Sequence, residues 1–369
     1  IGSLKWRIYS TAPNNSVVYN WGDQARYAQG YVWERDLLRA LPVFANITDQ
    51  PLRQQIKSWM IQLEPVTPLN VFTYHMAWQF LYYDEDLTPT PLSTLPLSYF
   101  AEGPGLVVKR SSWNTDATYW GFESGPLRAP HQWNNANGFL IFARGDWLAG
   151  NTNVFAGQGM RQETDQHNNM TFGTLMQEKQ SPNARWPEEA GRVVKSETGQ
   201  DYAYFAGQAA QAYVQGPDRW PDFGTKYVND YLRKFLQVAD GLFVVYDRVE
   251  MIPAEASRPK NWHLQSKNPI TLNGRAYSFD NGRVKLFGET LGPSTGMTLS
   301  QTPMNGGASH RLTVTTANNR NRDYIMNVLE VAPMSQTVAS PRRPITVTAG
   351  ALEGAEIEAQ GGWAVLVGQ

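Results

Sequence analysis

Cysteine is absent from all 369 residues, which removes thiol catalysis, thiolate metal sites and disulfide frameworks at once and leaves the redox compartment open. Charge is sparse and balanced: 18% of residues are charged and the formal net charge is −1. No basic run of the kind that displaces counterions from phosphates occurs, so nucleic acid is not expected as a partner. No window approaches the ~18 to 20 apolar residues of a membrane span, and no span is expected. No Gly-rich phosphate loop follows a predicted strand, so nucleotide chemistry has no support. Histidine is scarce as well, with five in the chain.

Length and aromatic mass are what the sequence does have. A chain of 369 residues can form two domains and bury a large core without disulfide or metal. Aromatics reach 12%, with 13 tryptophans, a load that suits flat platforms for sugar rings and equally suits the core of a large sheet.

The N-terminal part reads as helical. Asp49 followed by Pro51 is a helix start, and Leu52, Ile56, Trp59, Met60 and Leu63 recur at the spacing of one buried helix face. Tyr27, Tyr31, Leu38 and Leu41 share a face on an earlier helix ended by Pro42, and Thr67-Pro68 opens a third with Val71, Tyr74, His75, Trp78, Leu81 and Tyr82 on its stripe. From Leu87 the run Leu-Thr-Pro-Thr-Pro-Leu-Ser-Thr-Leu-Pro cannot continue a helix and predicts an extended crossing segment. Beyond it, strands are expected at Leu106 to Arg110, Thr118 to Glu123, Phe139 to Phe142 and Trp147 to Ala149 around Gly145-Asp146. Further strands are expected at Leu242 to Val249, Ile345 to Val347 and Trp363 to Val367. Phe139 to Phe142 and Leu242 to Tyr246 are continuous apolar runs, as in strands buried on both faces. The stretch from about Gly157 to Gly199 reads as long loops. Helices and strands segregate, so the fold class is α+β: a helical region over 1–86, an extended linker over 87–99 and a large antiparallel β-sandwich over 100–369.

Two of the five histidines flank one predicted hairpin among amide side chains. His131-Gln-Trp-Asn-Asn-Ala-Asn-Gly-Phe139 precedes it and Asp165-Gln-His167-Asn-Asn follows it. Bland readings stand beside the sharp ones. His131 suits a surface loop after Pro130 as well as a site, and His167 suits a residue that fixes a loop as well as a ligand contact. His75 reads as a core histidine on an apolar stripe. His263 suits a cleft wall or a strand end, and His310 has no supporting context. Arg110, Arg128, Arg161 and Arg185 suit bidentate binding of carboxylates or a solvated surface; Arg161, in the loop before His167, is the strongest of them.

Read together and in order, these segments resemble the C-terminal part of a heparinase II/III-like polysaccharide lyase. Val107-Val-Lys-Arg110-Ser-Ser-Trp113 is similar to the strand that opens the family's sandwich after a proline-rich link. The stretch from His131 to Phe139 is similar to its His-x-His-x-Asp-x-Asn-x-Phe signature, and Gly145-Asp-Trp147-Leu148 to its Gly-x-Trp-Leu hairpin. His167-Asn168 matches its His-Asn pair, Arg233-Lys-Phe-Leu with Leu242-Phe-Val-Val-Tyr-Asp247-Arg248-Val249 a later strand pair, and Trp262-His263 a further recurrent His. The resemblance covers about 97 to 290. The helical region, with Trp21-Gly22-Asp23, fits the end of the family's α/α toroid less distinctly.

The resemblance implies β-elimination beside a uronic acid. The proton on C5 is not acidic while the adjacent carboxylate is charged, so donors must neutralise that carboxylate before a base acts. His and Tyr have workable pKa values for the proton transfers. His131 matches the family's catalytic His; Tyr19 is the candidate Tyr in the helical region, ahead of Tyr9. The implied substrate contacts are His167, Trp133, Asn135, Asn137, Arg161, Arg110 and His263. Members of the family commonly hold zinc with the second His of the signature, an Asp after the hairpin and the His of the His-Asn pair. Here those positions are Trp133, Gly150 or Asn151, and His167, so no zinc and no other cofactor is expected. The signature's Asp is Asn135, which makes the cleft friendlier to an anionic sugar or marks a site that has lost its chemistry.

Two functions from different classes follow. One is a polysaccharide lyase, or the C-terminal part of one, acting on an acidic uronate-containing polysaccharide. The other is a non-catalytic glycan-binding or assembly protein on the same scaffold. A glycoside hydrolase is third, since no facing carboxylate pair can be read. The chain begins at Ile1 rather than Met. The expected location is periplasmic or secreted with the leader not in view, and a second polypeptide carrying the rest of the toroid is an expected partner.

Overall fold

The computed structural model describes residues 2–19, 22, 47–63, 81, 84–127, 132–152, 162–178, 190–215, 225–293, 295–304, 309–316, 319–347, 352–357 and 363–368. Two described helices, α1 (Gly2–Ser10) and α2 (Gln50–Leu63), pack on each other. Leu4 and Ile8 of α1 meet Leu52, Ile56, Trp59, Met60 and Leu63 of α2 in one buried cluster, which is the face the sequence spacing predicts. Asp49 caps α2, its Oδ1 accepting from the Leu52 amide at 3.2 Å. The helices expected over 24–41 and 67–82 lie outside the described residues, apart from Leu81.

The proline-rich segment is a strap laid along α2. Leu87 and Leu92 enter the helical cluster. The buried Lys57 ammonium donates to the carbonyls of Asp84 and Glu85 at 2.7 and 2.8 Å, and the Ser58 hydroxyl donates to Thr90 O at 2.6 Å. Three prolines between Leu87 and Leu97 deny this stretch a helix, and side chains of α2 satisfy carbonyls that a helix would have used.

Strands follow from Ser98. They are β1 (Ser98–Ala101), β2 (Leu106–Arg110), β3 (Tyr119–Glu123), β4 (Gly138–Ala143), β5 (Asp146–Ala149), β6 (Met170–Phe172), β7 (Arg192–Thr198), β8 (Ala203–Gln208), β9 (Val214–Gln215), β10 (Thr225–Lys226), β11 (Val228–Ala239) and β12 (Leu242–Met251). After them come β13 (Lys260–Ser266), β14 (Thr271–Asn273), β15 (Ala276–Asp280), β16 (Val284–Gly292), β17 (Met297–Met304), β18 (Ser309–Thr316), β19 (Arg322–Pro333), β20 (Arg342–Val347), β21 (Leu352–Ile357) and β22 (Trp363–Gly368). β1 to β5 form a five-stranded antiparallel meander, and an eight-stranded sheet runs β14-β15-β16-β19-β12-β11-β8-β7. Smaller sheets are β17-β18-β13-β6, β20-β21-β22 and β9-β10.

The five- and four-stranded sheets share one core with the eight-stranded sheet, as Phe122, Phe139, Trp262 and Leu312 join Phe205, Phe235, Phe243 and Leu329. The two apolar runs show why they lack alternation. Phe139 and Ile141 of β4 enter this core, whereas Leu140 and Phe142 enter a second cluster with Tyr9, Ala12 and Tyr19. Phe243 and Val245 of β12 enter the main core, whereas Leu242, Val244 and Tyr246 pack with Ala355 and Ile357 of the C-terminal sheet. Both strands are therefore buried on both faces.

Two expectations shift. The β4–β5 hairpin turns on Arg144-Gly145, both at positive φ (53° and 90°), rather than on Gly145-Asp146. The stretch from about Gly157 to Gly199 is not all loop: it contains β6 and β7, the latter an exposed edge strand whose polar residues give no burial period.

Candidate functional site

Two loops of the sandwich carry the candidate residues. The first, 132–137, leads into β4; the second, 162–169, leads into β6. Gln132 forms an antiparallel bridge with Gly22, so the first loop lies against the N-terminal region. The loops hold each other: the Asn134 amide donates to Gln162 O at 2.9 Å, and Asn169 Nδ2 donates to Asn135 Oδ1 at 2.9 Å and to Ala136 O at 3.0 Å. Gln177 closes the first loop by accepting from the Ala136 amide at 2.8 Å and donating to Ala136 O at 2.7 Å.

His167 is fully buried, with the Trp133 indole stacked on it at 5.0 Å between centroids and 28° between planes. Burial pushes the imidazole down to about 3, against small opposing effects from Asp165 and the Gln162 main chain, so the ring is neutral near pH 7. Neither ring nitrogen completes a hydrogen bond, nor does Trp133 Nε1 or either amide atom of the buried Asn151. Asn151 adjoins Thr152, whose hydroxyl meets Gln265 Oε1 at 3.2 Å, while Gln265 Nε2 donates to His167 O at 3.2 Å. The positions that the resemblance assigns to zinc supply one imidazole, one indole and one amide, the first two stacked on each other. Zinc asks for four N, S or carboxylate donors, and this set does not fit it. Among the described residues no group of three or more His, Asp or Glu side chains is arranged to hold a metal.

The other expected contacts turn inward. Asn135 donates to the buried Glu123 carboxyl, whose pKa burial raises well above the usual range against the lowering effect of that bond. Asn137, at φ 70°, donates to Gly207 O at 2.9 Å; a Cβ at position 207 would collide with its Oδ1, so glycine is required there. His263 sits between two threonine hydroxyls, Nε2 at 3.0 Å from Thr171 and Nδ1 at 3.1 Å from Thr313, and burial, with Arg311 adding to it, lowers it to about 3. Arg110 donates to the carbonyls of Tyr9 and Thr11 at 3.1 and 2.8 Å and lies 3.9 Å over Trp113; it ties α1 to the sheet instead of facing a ligand. Tyr19 is 2% exposed, with its ring where a side chain at Gly121 would be, and burial raises its phenol well above the usual range. As placed, neither it nor the two asparagines can reach a polymer, because their polar atoms are buried inside the fold. Tyr9 is buried too, and its phenol is pushed up to about 12. His131 and Arg161, with Arg128 and Arg185, lie outside the described residues.

Sequence reading missed the centre of this network. Arg233 and Asp247 are fully buried and paired through two bonds, Nε to Oδ1 at 2.7 Å and Nη2 to Oδ2 at 3.0 Å. The remaining guanidinium nitrogen, Nη1, donates to Asn137 O at 2.7 Å and Asn168 O at 2.8 Å, one carbonyl from each loop. An Asp inside the apolar run of β12 was the available signal. Gly292-Pro-Ser-Thr-Gly296, which spells a nucleophile-elbow pattern, joins β16 to β17; with no helix after it, it lacks the context of an elbow.

No protein-family model and no curated sequence matches the chain. Solved structures do match. The heparan sulfate lyase HepC from Pedobacter heparinus superposes with a TM-score of 0.66 at 14% identity, covering 98% of this chain and 51% of that one. A heparinase III superposes at 0.66 and 12% identity over 99% of this chain and 54% of the other. The chondroitin AC lyase of Streptomyces coelicolor A3 gives 0.52 at 11% identity, over 99% and 56%. The chain has the heparinase-like polysaccharide lyase fold and spans about half the length of the structures it matches.

Proposed function

We propose that this chain is a polysaccharide lyase, or the sandwich-bearing part of one, that cleaves an acidic uronate-containing polysaccharide by β-elimination. The observation that carries the reading is the Gly22–Gln132 bridge, which sets the signature loop against the N-terminal region within a fold shared with heparan sulfate and chondroitin lyases. His131 precedes Gln132 in the sequence. In the proposed reaction hydrogen-bond donors neutralise the uronate carboxylate, His131 takes the C5 proton, the C4–C5 double bond forms and the C4–O4 bond breaks, O4 leaving with a proton delivered by solvent water. Burial favours the neutral rings of His167 and His263, so this reading gives the proton transfer to His131. No metal is required at the Trp133–His167 position, and the acting protein is periplasmic or secreted.

The test is ultraviolet absorbance of the new double bond on mixing with a panel of uronate polymers, using material that includes any upstream segment or companion polypeptide. Absorbance with at least one polymer is expected, and its loss in His131→Ala with the fold intact. A second reading, a glycan-binding or assembly protein without catalysis, is favoured by the Trp133–His167 stack at the former metal position. Polymer binding without any absorbance change would select it.

A further inference from the structure

We propose that Arg233 and Asp247 are positioning residues for the candidate site, setting the distance between the loop 132–137 and the loop 162–169 that carries His167. The inference rests on the lyase reading for what is positioned, and on geometry for how. Arg233 and Asp247 face each other across β11 and β12 in the eight-stranded layer. The loops they bind belong to the other side of the core. Nη1 reaches across and donates to the carbonyls of Asn137 and Asn168 together, at 2.7 and 2.8 Å. One carbonyl belongs to the residue before β4, at the end of the signature loop; the other follows His167 directly.

Each held residue is fixed again by its own side chain. Asn137 Nδ2 donates to Gly207 O at 2.9 Å, Asn168 Nδ2 donates to Phe139 O at 2.8 Å, and Asn168 Oδ1 accepts from the Gln265 amide at 2.7 Å. A planar guanidinium with donors in a fixed fork can serve a carboxylate and two carbonyls at once, which one ammonium cannot do in the same geometry. A fully buried pair is poor evidence for stability, since apolar residues of like volume commonly serve as well. The two loop carbonyls are what an apolar pair could not hold.

Two variants test this in the full protein: the apolar pair Arg233→Met with Asp247→Leu, and Arg233→Lys. In the folded double variant kcat on the uronate polymer found active should fall about 100-fold, the scale of a ~1 Å misplacement. Hydrogen exchange should accelerate in 132–138 and 165–169 and stay unchanged in α2. Arg233→Lys should keep the pair but lose one loop carbonyl, giving a kcat loss of about tenfold and faster exchange in one loop; it decides the matter if the double variant does not fold. Wild-type kcat with unchanged loop exchange in a folded variant overturns the proposal. If the wild-type protein yields no product from any polymer, the lyase reading fails, whereas the exchange measurement still reports on the clamp.

Discussion

Two buried polar centres lie near the candidate loops, and they are built in opposite ways. Around Arg233 and Asp247 most polar groups are answered: the carboxylate by the guanidinium fork, the loop carbonyls by Nη1, Asn169 Oδ1 by the Tyr231 hydroxyl at 3.0 Å, and Gln177 by Ala136 and Tyr213, with Asn137 Oδ1 left unpaired. Around His167 several buried polar atoms lack partners: Trp133 Nε1, both imidazole nitrogens and both Asn151 amide atoms. A satisfied network rigidifies and specifies a structure, while each unsatisfied buried group costs about 1–3 kcal/mol. The first centre is scaffold. The second holds buried polar atoms that the protein's own groups leave unpaired.

The largest effect should come from breaking the satisfied centre on one side. Arg233→Ala leaves the Asp247 carboxylate buried and the Asn137 and Asn168 carbonyls without their donor, and should destabilise by about 3–5 kcal/mol. Urea unfolding measures it, and a loss below about 1 kcal/mol would mean that the pair is not the structural centre described. The same mutation logic has the opposite sign at the second centre. His167→Leu removes two unanswered nitrogens and keeps a side chain of similar bulk against Trp133, so a change within about 1 kcal/mol of zero, or a gain, is expected. A loss as large as that of Arg233→Ala would show that His167 has partners in solution.

Metal content sharpens the contrast next. Purified protein should carry no stoichiometric zinc, and zinc should not shift its melting temperature. Trp133→His with Asn151→Asp restores two donor types beside His167 and should bind zinc, read as metal per chain and as a concentration-dependent rise in melting temperature. Zinc bound by the unaltered protein would sink the reading of this position as metal-free.

How much of this was legible in the sequence differs between the two centres. The helix Gln50–Leu63 and strands β2 to β5 and β12 were readable because burial there follows one period or fills a continuous run. The Arg233–Asp247 pair was not. A two-residue turn at Asp240-Gly241 sets Ala239 opposite Leu242, and continuing that register would set Arg233 opposite Arg248; the irregularity between Gln237 and Ala239 moves the register by one and brings Asp247 across instead. Arg248 meets Asp230 at 2.8 Å. Asn135 and Asn137 turn inward for a reason the loop does not show: amide side chains signal polarity, but their acceptors lie on other strands, Glu123 for Asn135 and, more than 60 residues on, Gly207 and Tyr231 for Asn137. Strand β7 escaped because an exposed edge has no buried face to impose a period.

The last comparison is the pH dependence that the two buried histidines impose. Burial lowers both His167 and His263 to about 3, whereas an unfolded imidazole titrates near ~6.5. Below about pH 6.5 the unfolded chain binds a proton at each position that the folded chain does not, so each histidine makes stability fall as pH falls, by up to about 1.4 kcal/mol per pH unit. Glu123 acts the other way above about pH 4.5, because its raised pKa keeps a proton on the folded form that the unfolded form has lost. The wild-type curve therefore mixes opposing slopes, and the single-site difference is the cleaner quantity. His263→Gln can retain a hydrogen bond to one of the two threonine hydroxyls and removes one titrating group. The stability difference between wild type and this variant should be flat above pH 7 and should shift in the variant's favour as pH falls from 6.5 to 5. Parallel curves across that range would mean that His263 is reached by solvent, and that the four-stranded sheet opens where the structure shows it closed.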